Sequence, residues 1–318
     1  MNTPQFIRNP FGFDLSKINL RVIGAALLLE ASLGFVSHAE ADELTLYFIP
    51  SPFGVNWNSP RALLDSTLED FLFSEFAGSG HEIGHVYEDV ECESTGTHAT
   101  TGMTGATGSD VEDVLFKQEL GLGMLFHTFS GSLDTESFTR SDLAGYFKSG
   151  LTDYITWKIS PTTCARLMEY FDEYVARGYE NFYGLSNRPR YGEGAGCSAF
   201  GESFLEIAGL DFPDYKNSWQ YSIRAPSQLV GGPLTNGQKV SVLDILFKSV
   251  SKHWAAPNAA GFDLDFWSPD SMYQWVQKVW KGKTHTQQVY TKVKNGKALG
   301  LVMDATDVPT PTDPIWKN

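Results

Sequence analysis

Residues 78–92 read GSGHEIGHVYEDVEC, and the fold turns on whether His81, Glu82, Ile83, Gly84 and His85 open a helix or a strand. A helix would set two histidines four residues apart on one face, able to share a zinc ion, with Glu82 as base for a bound water and Glu91, or Glu112 further on, as the remaining ligand. A strand would separate those groups. The flanks favour the strand: GSG precedes the motif and Val86, Tyr87 and Val90 follow it, and such residues suit an extended chain better than a helix interior. In that reading His85, Tyr87, Asp89 and Glu91 take one side, and Val86, Glu88, Val90 and Cys92 the other.

Outward from this stretch the chain alternates between strand and helix signals. LTLYFIPS (44–51) and TDYITWKIS (152–160) read as strands rich in β-branched and aromatic residues. Residues 59–78 begin with Ser59 and Pro60 and end on Gly78, and residues 161–178 begin with Pro161 and end on Gly178, which is helix punctuation. LGLGMLFHTFSG (120–131) reads as a further strand, and STGTHATTGMTGATGSD (94–110) as a Gly/Thr loop without apolar period. Helical pieces at 241–254 and 268–280 and a hairpin around Asn295-Gly296 complete the pattern. The expectation is an α+β fold, an antiparallel sheet core packed with helices, with residues 42–220 forming the core and 221–318 elaborating the same domain.

A formal net charge of -14 over 318 residues leaves no basic patch for a phosphate backbone, so nucleic acid is not an expected partner. At the N-terminus Arg8, Lys17 and Arg21 precede the apolar run VIGAALLLEASLGFV (22–36), and Ser37, Ala39 and Ala41 follow as small residues for a signal peptidase. That run is interrupted by Glu30 and is shorter than the roughly 20 apolar residues of a spanning helix. Residues 1–41 therefore read as a signal peptide, and the mature chain as exported without a transmembrane span, to a periplasmic, envelope-associated or extracellular place. In an oxidising compartment the three cysteines leave one odd thiol; pairing Cys92 with Cys164 would leave Cys197 free.

Cys197 follows Gly194, Ala195 and Gly196 and precedes Phe200, Phe204 and Ile207 at helical spacing, which puts it at a helix N-terminus. That position lowers a thiol pKa, and the N–H groups of Cys197 and Ser198 can receive an oxyanion. The order of a glycine-histidine strand, a second histidine in LFHTF (125–129), the helix SPTTCARLMEYFDEY (160–174) and a cysteine at a helix start resembles the circularly permuted papain-like proteins, relatives of the NlpC-type peptidases and of lecithin:retinol acyltransferase. The resemblance covers roughly residues 45–210 and rests on order and local chemistry. It implies a papain-like core and a thiol hydrolase or acyltransferase acting on an amide or ester bond of a peptide or acyl substrate, with envelope peptides as the first substrate class and no cofactor. Carried across, Cys197 is the nucleophile, His85 the general base with His81 as the alternative, and His127 the orienting group. Relatives often place asparagine directly before the cysteine; this chain has Gly196, which puts activity in question. Two other readings stand beside it: a zinc peptidase built on His81, His85 and Glu91 with Glu82 as base, and a non-catalytic binding or structural protein of the envelope.

Overall fold

Strand β1 (Glu43–Ile49) pairs antiparallel with β2 (His85–Cys92), Ile49 opposite His85 and Glu43 opposite Glu91. The computed structural model describes residues 42–77, 81–105 and 108–318, so the expected signal peptide lies outside the described residues. Because successive side chains alternate across a strand, Leu44, Leu46 and Phe48 join Val86, Val90 and Cys92 in the main core on one face. Tyr47, Ile49 and Tyr87 take the other face. The two sides of β2 are those its sequence implies.

Around this pair a six-stranded sheet runs in the order β10 (Thr291–Asn295), β11 (Ala298–Asp304), β6 (Asp153–Lys158), β1, β2 and β3 (Thr97–Thr101). Every pairing is antiparallel except that of β6 with β11, which is parallel. Besides a single turn at Gly108–Glu112, the helices in chain order are α1 (Pro60–Ala77), α2 (Glu136–Ser149), α3 (Pro161–Ala176), α4 (Cys197–Ala208), α5 (Pro213–Trp219), α6 (Val242–Phe247) and α7 (Pro269–Trp280). The fold is α+β.

Helices α3, α4 and α7 cover the apolar face and close a core that includes Trp157, Tyr170, Phe200, Phe204, Trp219 and Trp275. Each large apolar side chain buried there contributes about 1.5–3 kcal/mol by removal from water. On the opposite face α2 covers only the β2–β3 end, through Leu143 and Tyr146. The rest of that face is a polar trough of about 690 Å³ lined by residues such as Thr45, Tyr47, Asp89, Tyr154, Thr156 and Lys158. A small sheet of β4 (Met103–Gly105), β5 (Phe129–Leu133) and β7 (Phe182–Tyr183) stands beside the main one, and β8 (Gln220–Pro226) pairs with β9 (Gly261–Trp267). Leu63 and Leu64 of α1 pack with Ala225, Leu229, Val230 and Ile245 in a second core.

Two local readings need correction. The Gly/Thr stretch at 94–110 contains β3 and β4, because pairing of β3 along the outer edge of β2 and of β4 with β5 supplies the order that no apolar period announces. The strand expected over 120–131 starts only at Phe129 and is preceded by a 3₁₀ turn, Leu122–Phe126. Gly121 sits at φ +51°, and a Cβ on Gly123 would lie 2.2 Å from the Gly231 carbonyl oxygen, so the glycines turn the chain there instead of extending it.

The C-terminal hundred residues are not an appendage. They supply β10, β11 and α7 to the main sheet, and the described residues all belong to one compact unit, Glu40–Asn318. Cys92 at the end of β2 and Cys164 in α3 form a disulfide with Cα atoms 5.8 Å apart, leaving Cys197 as the free thiol. The bond spans 72 residues, and loop-closure entropy for that length corresponds to about 4 kcal/mol of stability. Urea denaturation of the Cys92→Ala/Cys164→Ala protein should show a loss of that order, and reductant should destabilise the wild type but not the double variant.

Candidate functional site

HEIGH is a turn followed by a strand. Residues 81–84 turn on Gly84 at φ +78°, where a Cβ would lie 2.9 Å from the Ile49 carbonyl oxygen, and β2 begins at His85. The zinc arrangement therefore does not form. The His81 and His85 rings stack with centroids 4.3 Å apart and planes 8° apart, so their in-plane lone pairs run side by side and do not converge on one ion. Glu91 lies six residues further along the strand, about 20 Å from His85 at the rise of a β-strand, and Glu82 and Glu112 are exposed. Among the described residues no group of three or more His, Cys, Asp and Glu side chains is gathered to hold a metal.

The turn instead feeds a hydrogen-bonded cluster under α2. Tyr87 donates its hydroxyl to Asp142 Oδ2 at 2.8 Å, and His81 Nε2 stands 3.0 Å from the same oxygen and 3.2 Å from the Tyr87 hydroxyl. Burial alone would raise the Asp142 carboxyl, but the bonds from His81 and Tyr87 outweigh it and hold it below the usual carboxylate range. His85 is 4% exposed, and its Nε2 has no hydrogen-bond partner; the nearest carboxylate oxygen, Asp134 Oδ2, is 3.8 Å away. Burial, with the neighbouring His81 adding to it, pushes the His85 imidazole well below its ordinary value. Asp134 is raised by burial although Thr104 donates to it at 3.0 Å. Gly102 leaves the room for this packing, since a Cβ there would lie 2.5 Å from the Tyr87 ring and 2.8 Å from His85 Nε2.

Cys197 begins α4, as its sequence context implies, behind Gly196 as a cap without side chain. A Cβ on Gly194 would fall 2.0 Å from the Phe182 carbonyl oxygen, so the approach segment packs directly on β7. That contact brings Tyr183 to the thiol. Its hydroxyl lies 4.0 Å from Cys197 Sγ and donates toward it. The Ser198 hydroxyl is 3.8 Å from Sγ. Burial pushes the thiol above its ordinary value, and Glu88 adds to the shift, against the hydrogen bonds from Ser198, Val86 and Tyr183. Glu88 itself is 1% exposed with both carboxyl oxygens unpartnered, and burial pushes it well above the carboxylate range.

The expected trio of Cys197, His85 and His127 is not joined by side-chain contacts of its own. The His85 ring stacks on His81 and stands edge-on to Tyr87. His127 follows the 3₁₀ turn and packs edge-on against Phe129 at 4.6 Å. Among the described residues no hydrogen bond or ion pair joins the three. His81, the alternative base, is engaged with Asp142 on the same side as His85. Glu88, whose charge the thiol feels, and Tyr183, whose hydroxyl lies 4.0 Å from Sγ, were not among the sequence candidates. Glu88 had a signal: it is a carboxylate on the side of β2 otherwise made of Val86, Val90 and Cys92. Tyr183 had none, because its proximity depends on how β7 folds back.

No protein-family model matches the chain, and no curated protein or solved structure is significantly similar to it.

The folded protein keeps His85 neutral, whereas an unfolded histidine takes a proton below about pH 6.5. The stability this residue contributes is therefore present above that value and is lost as pH falls, by up to about 1.4 kcal/mol per unit. Its ring resonances should stay flat from about pH 7.5 to about 5.5. The stability difference between wild type and His85→Gln should shrink by that slope over the same acid range.

Proposed function

We propose that the protein is an exported cysteine-dependent hydrolase or acyltransferase that acts on amide or ester bonds, with Cys197 as nucleophile. One observation carries this reading: the Tyr183 hydroxyl oxygen lies 4.0 Å from Cys197 Sγ at the start of α4. An oxygen in that notch is where a substrate carbonyl oxygen would stand for attack by the thiol, with the Cys197 and Ser198 N–H groups, which have no acceptor within the helix, as the oxyanion donors. A substrate reaches the thiol by displacing Tyr183, since Cys197 is only 5% exposed.

The Cys92–Cys164 disulfide supports export, because such bonds persist in oxidising compartments. Among the described residues no helix is long and apolar enough to cross a membrane. Peptide material of the envelope is the substrate class we favour. The competing reading is a non-catalytic envelope protein, favoured by the burial and raised pKa of the thiol.

The mature protein incubated with p-nitrophenyl acetate separates the two. The enzyme reading expects release of nitrophenol, a Cys197-linked acetyl group by peptide mass spectrometry, no effect of chelator, and a loss of roughly a thousandfold or more in Cys197→Ala. Release that survives Cys197→Ala, or no acetylation of Cys197 at all, leaves the binding protein as the correct reading.

A further inference from the structure

Glu202, Leu205 and Glu206 share one face of α4, at spacings of three and four residues, toward the end of the helix. Gly209, at φ +73°, stops α4 and turns the chain, and Asp211 and Phe212 then line the same cavity as that face, together with Tyr215 and Lys216 of α5. Gln220 and Trp267, a cross-strand pair of β8 and β9, complete it. The cavity measures about 190 Å³. That is room for one small group, below the roughly 300–1,000 Å³ of a pocket for a larger ligand.

The lining gathers acids around a buried one. Glu202 is 8% exposed, yet among the described residues its carboxyl has no hydrogen-bond or ion-pair partner. Native interiors rarely keep such a group. It is not sealed in the core as Glu88 is, since it lines the cavity. Glu206 stands one turn further along, a like-charge spacing that disfavours a helix, and the helix end adds the negative pole of its dipole without a basic residue in the last turn. The nearby cations are engaged elsewhere: Arg190 Nη1 and Lys317 Nζ both hold Glu206 Oε2, at 3.0 and 2.9 Å. Lys216 is exposed and makes no ion pair among the described residues. Burial, with Glu206 and Asp211 adding to it, pushes the Glu202 carboxyl well above the carboxylate range, as expected of an acid desolvated without a countercharge.

The rest of the wall is largely apolar, through Leu205, Phe212, Tyr215 and Trp267. Aromatic faces attract an ammonium group and cover an alkyl stem. The acids are not gathered as ligands for a metal ion, whereas an ammonium donates three hydrogen bonds at longer reach. We infer that this cavity binds the ammonium group of a primary amine on an alkyl stem, with Glu202 as its counter-ion. The inference is independent of the chemistry assigned to Cys197. A small diamine and the lysine side chain of a peptide present the same group.

The test titrates the mature protein with cadaverine, with Nα-acetyl-lysinamide and with pentanediol, which has the stem without the charge, by calorimetry and by melting temperature. An amine should bind one to one and raise the melting temperature, and pentanediol should not. Glu202→Gln should weaken binding by roughly 30-fold or more, the scale of losing one partner of a buried charge pair. Its melting temperature without amine should not fall, because a neutral group of the same shape replaces the unpaired acid. At about pH 5, below the raised Glu202 value, binding should release a proton, seen as a dependence of the heat on the buffer's ionisation enthalpy. Binding of cadaverine alone assigns the site to a free diamine, and binding of the lysinamide as well assigns it to a peptide's lysine; both support the inference. It is overturned by a wild type that binds neither amine at millimolar concentration, by Glu202→Gln binding as tightly as wild type, or by pentanediol binding as well as cadaverine. It is also overturned if Lys216→Met and Glu202→Gln destabilise the protein equally, which makes Lys216 the partner of Glu202. If Glu202→Gln does not fold, the proton release decides, and its absence overturns the inference.

Discussion

Everything at the candidate site depends on the alternation of side chains along β2. Its pairing with β1, fixed from Glu43–Glu91 to Ile49–His85, commits each residue of the strand to one face of the sheet. A shift of one residue would send His85 and Tyr87 into the main core and expel Val86 and Val90 from it. Several features hold the register. Gly84 admits the tight entry to the strand, the disulfide fixes Cys92 to α3, and α4 lays Gly201 over Val86 and Glu88.

Two buried ionisable groups of opposite type sit back to back across this strand. His85 is held as the neutral imidazole and Glu88 is pushed toward the neutral acid, in both cases chiefly because burial penalises the charged form. Their linkage to stability runs in opposite directions. The His85 contribution is lost as pH falls, whereas the Glu88 contribution is complete below its unfolded value and is lost as pH rises through its raised folded value. Asp134, next to His85 and felt by Glu88, is also raised, so the region keeps few full charges where water is scarce.

Much of the fold was legible where a local signal fixed a local outcome. Ser160 before Pro161 does cap α3, accepting from the Thr163 N–H at 3.2 Å, the Asn295-Gly296 hairpin joins β10 to β11, and Cys197 does open a helix. The pairing of that cysteine with histidine was not legible, for a physical reason. Periodicity tells which residues share a side of a strand, but the side against which a helix then packs is set by long-range packing. The same limit hid β3 and β4, whose Gly/Thr sequence gains order only from pairing with β2 and β5 respectively. It also hid the parallel insertion of β11 beside β6, which joins residues more than a hundred positions apart.

The helix start cannot by itself make Cys197 reactive. A helix N-terminus is worth about 0.3–1 kcal/mol to a nearby negative charge, and up to about 2 kcal/mol when partly buried, close to one pKa unit. Desolvation acts on this thiol in the opposite direction and prevails, even with the Ser198, Val86 and Tyr183 donors turned toward it. A sulfur in that position attacks only if its proton leaves as the new bond forms, so that no free thiolate has to exist in the closed pocket.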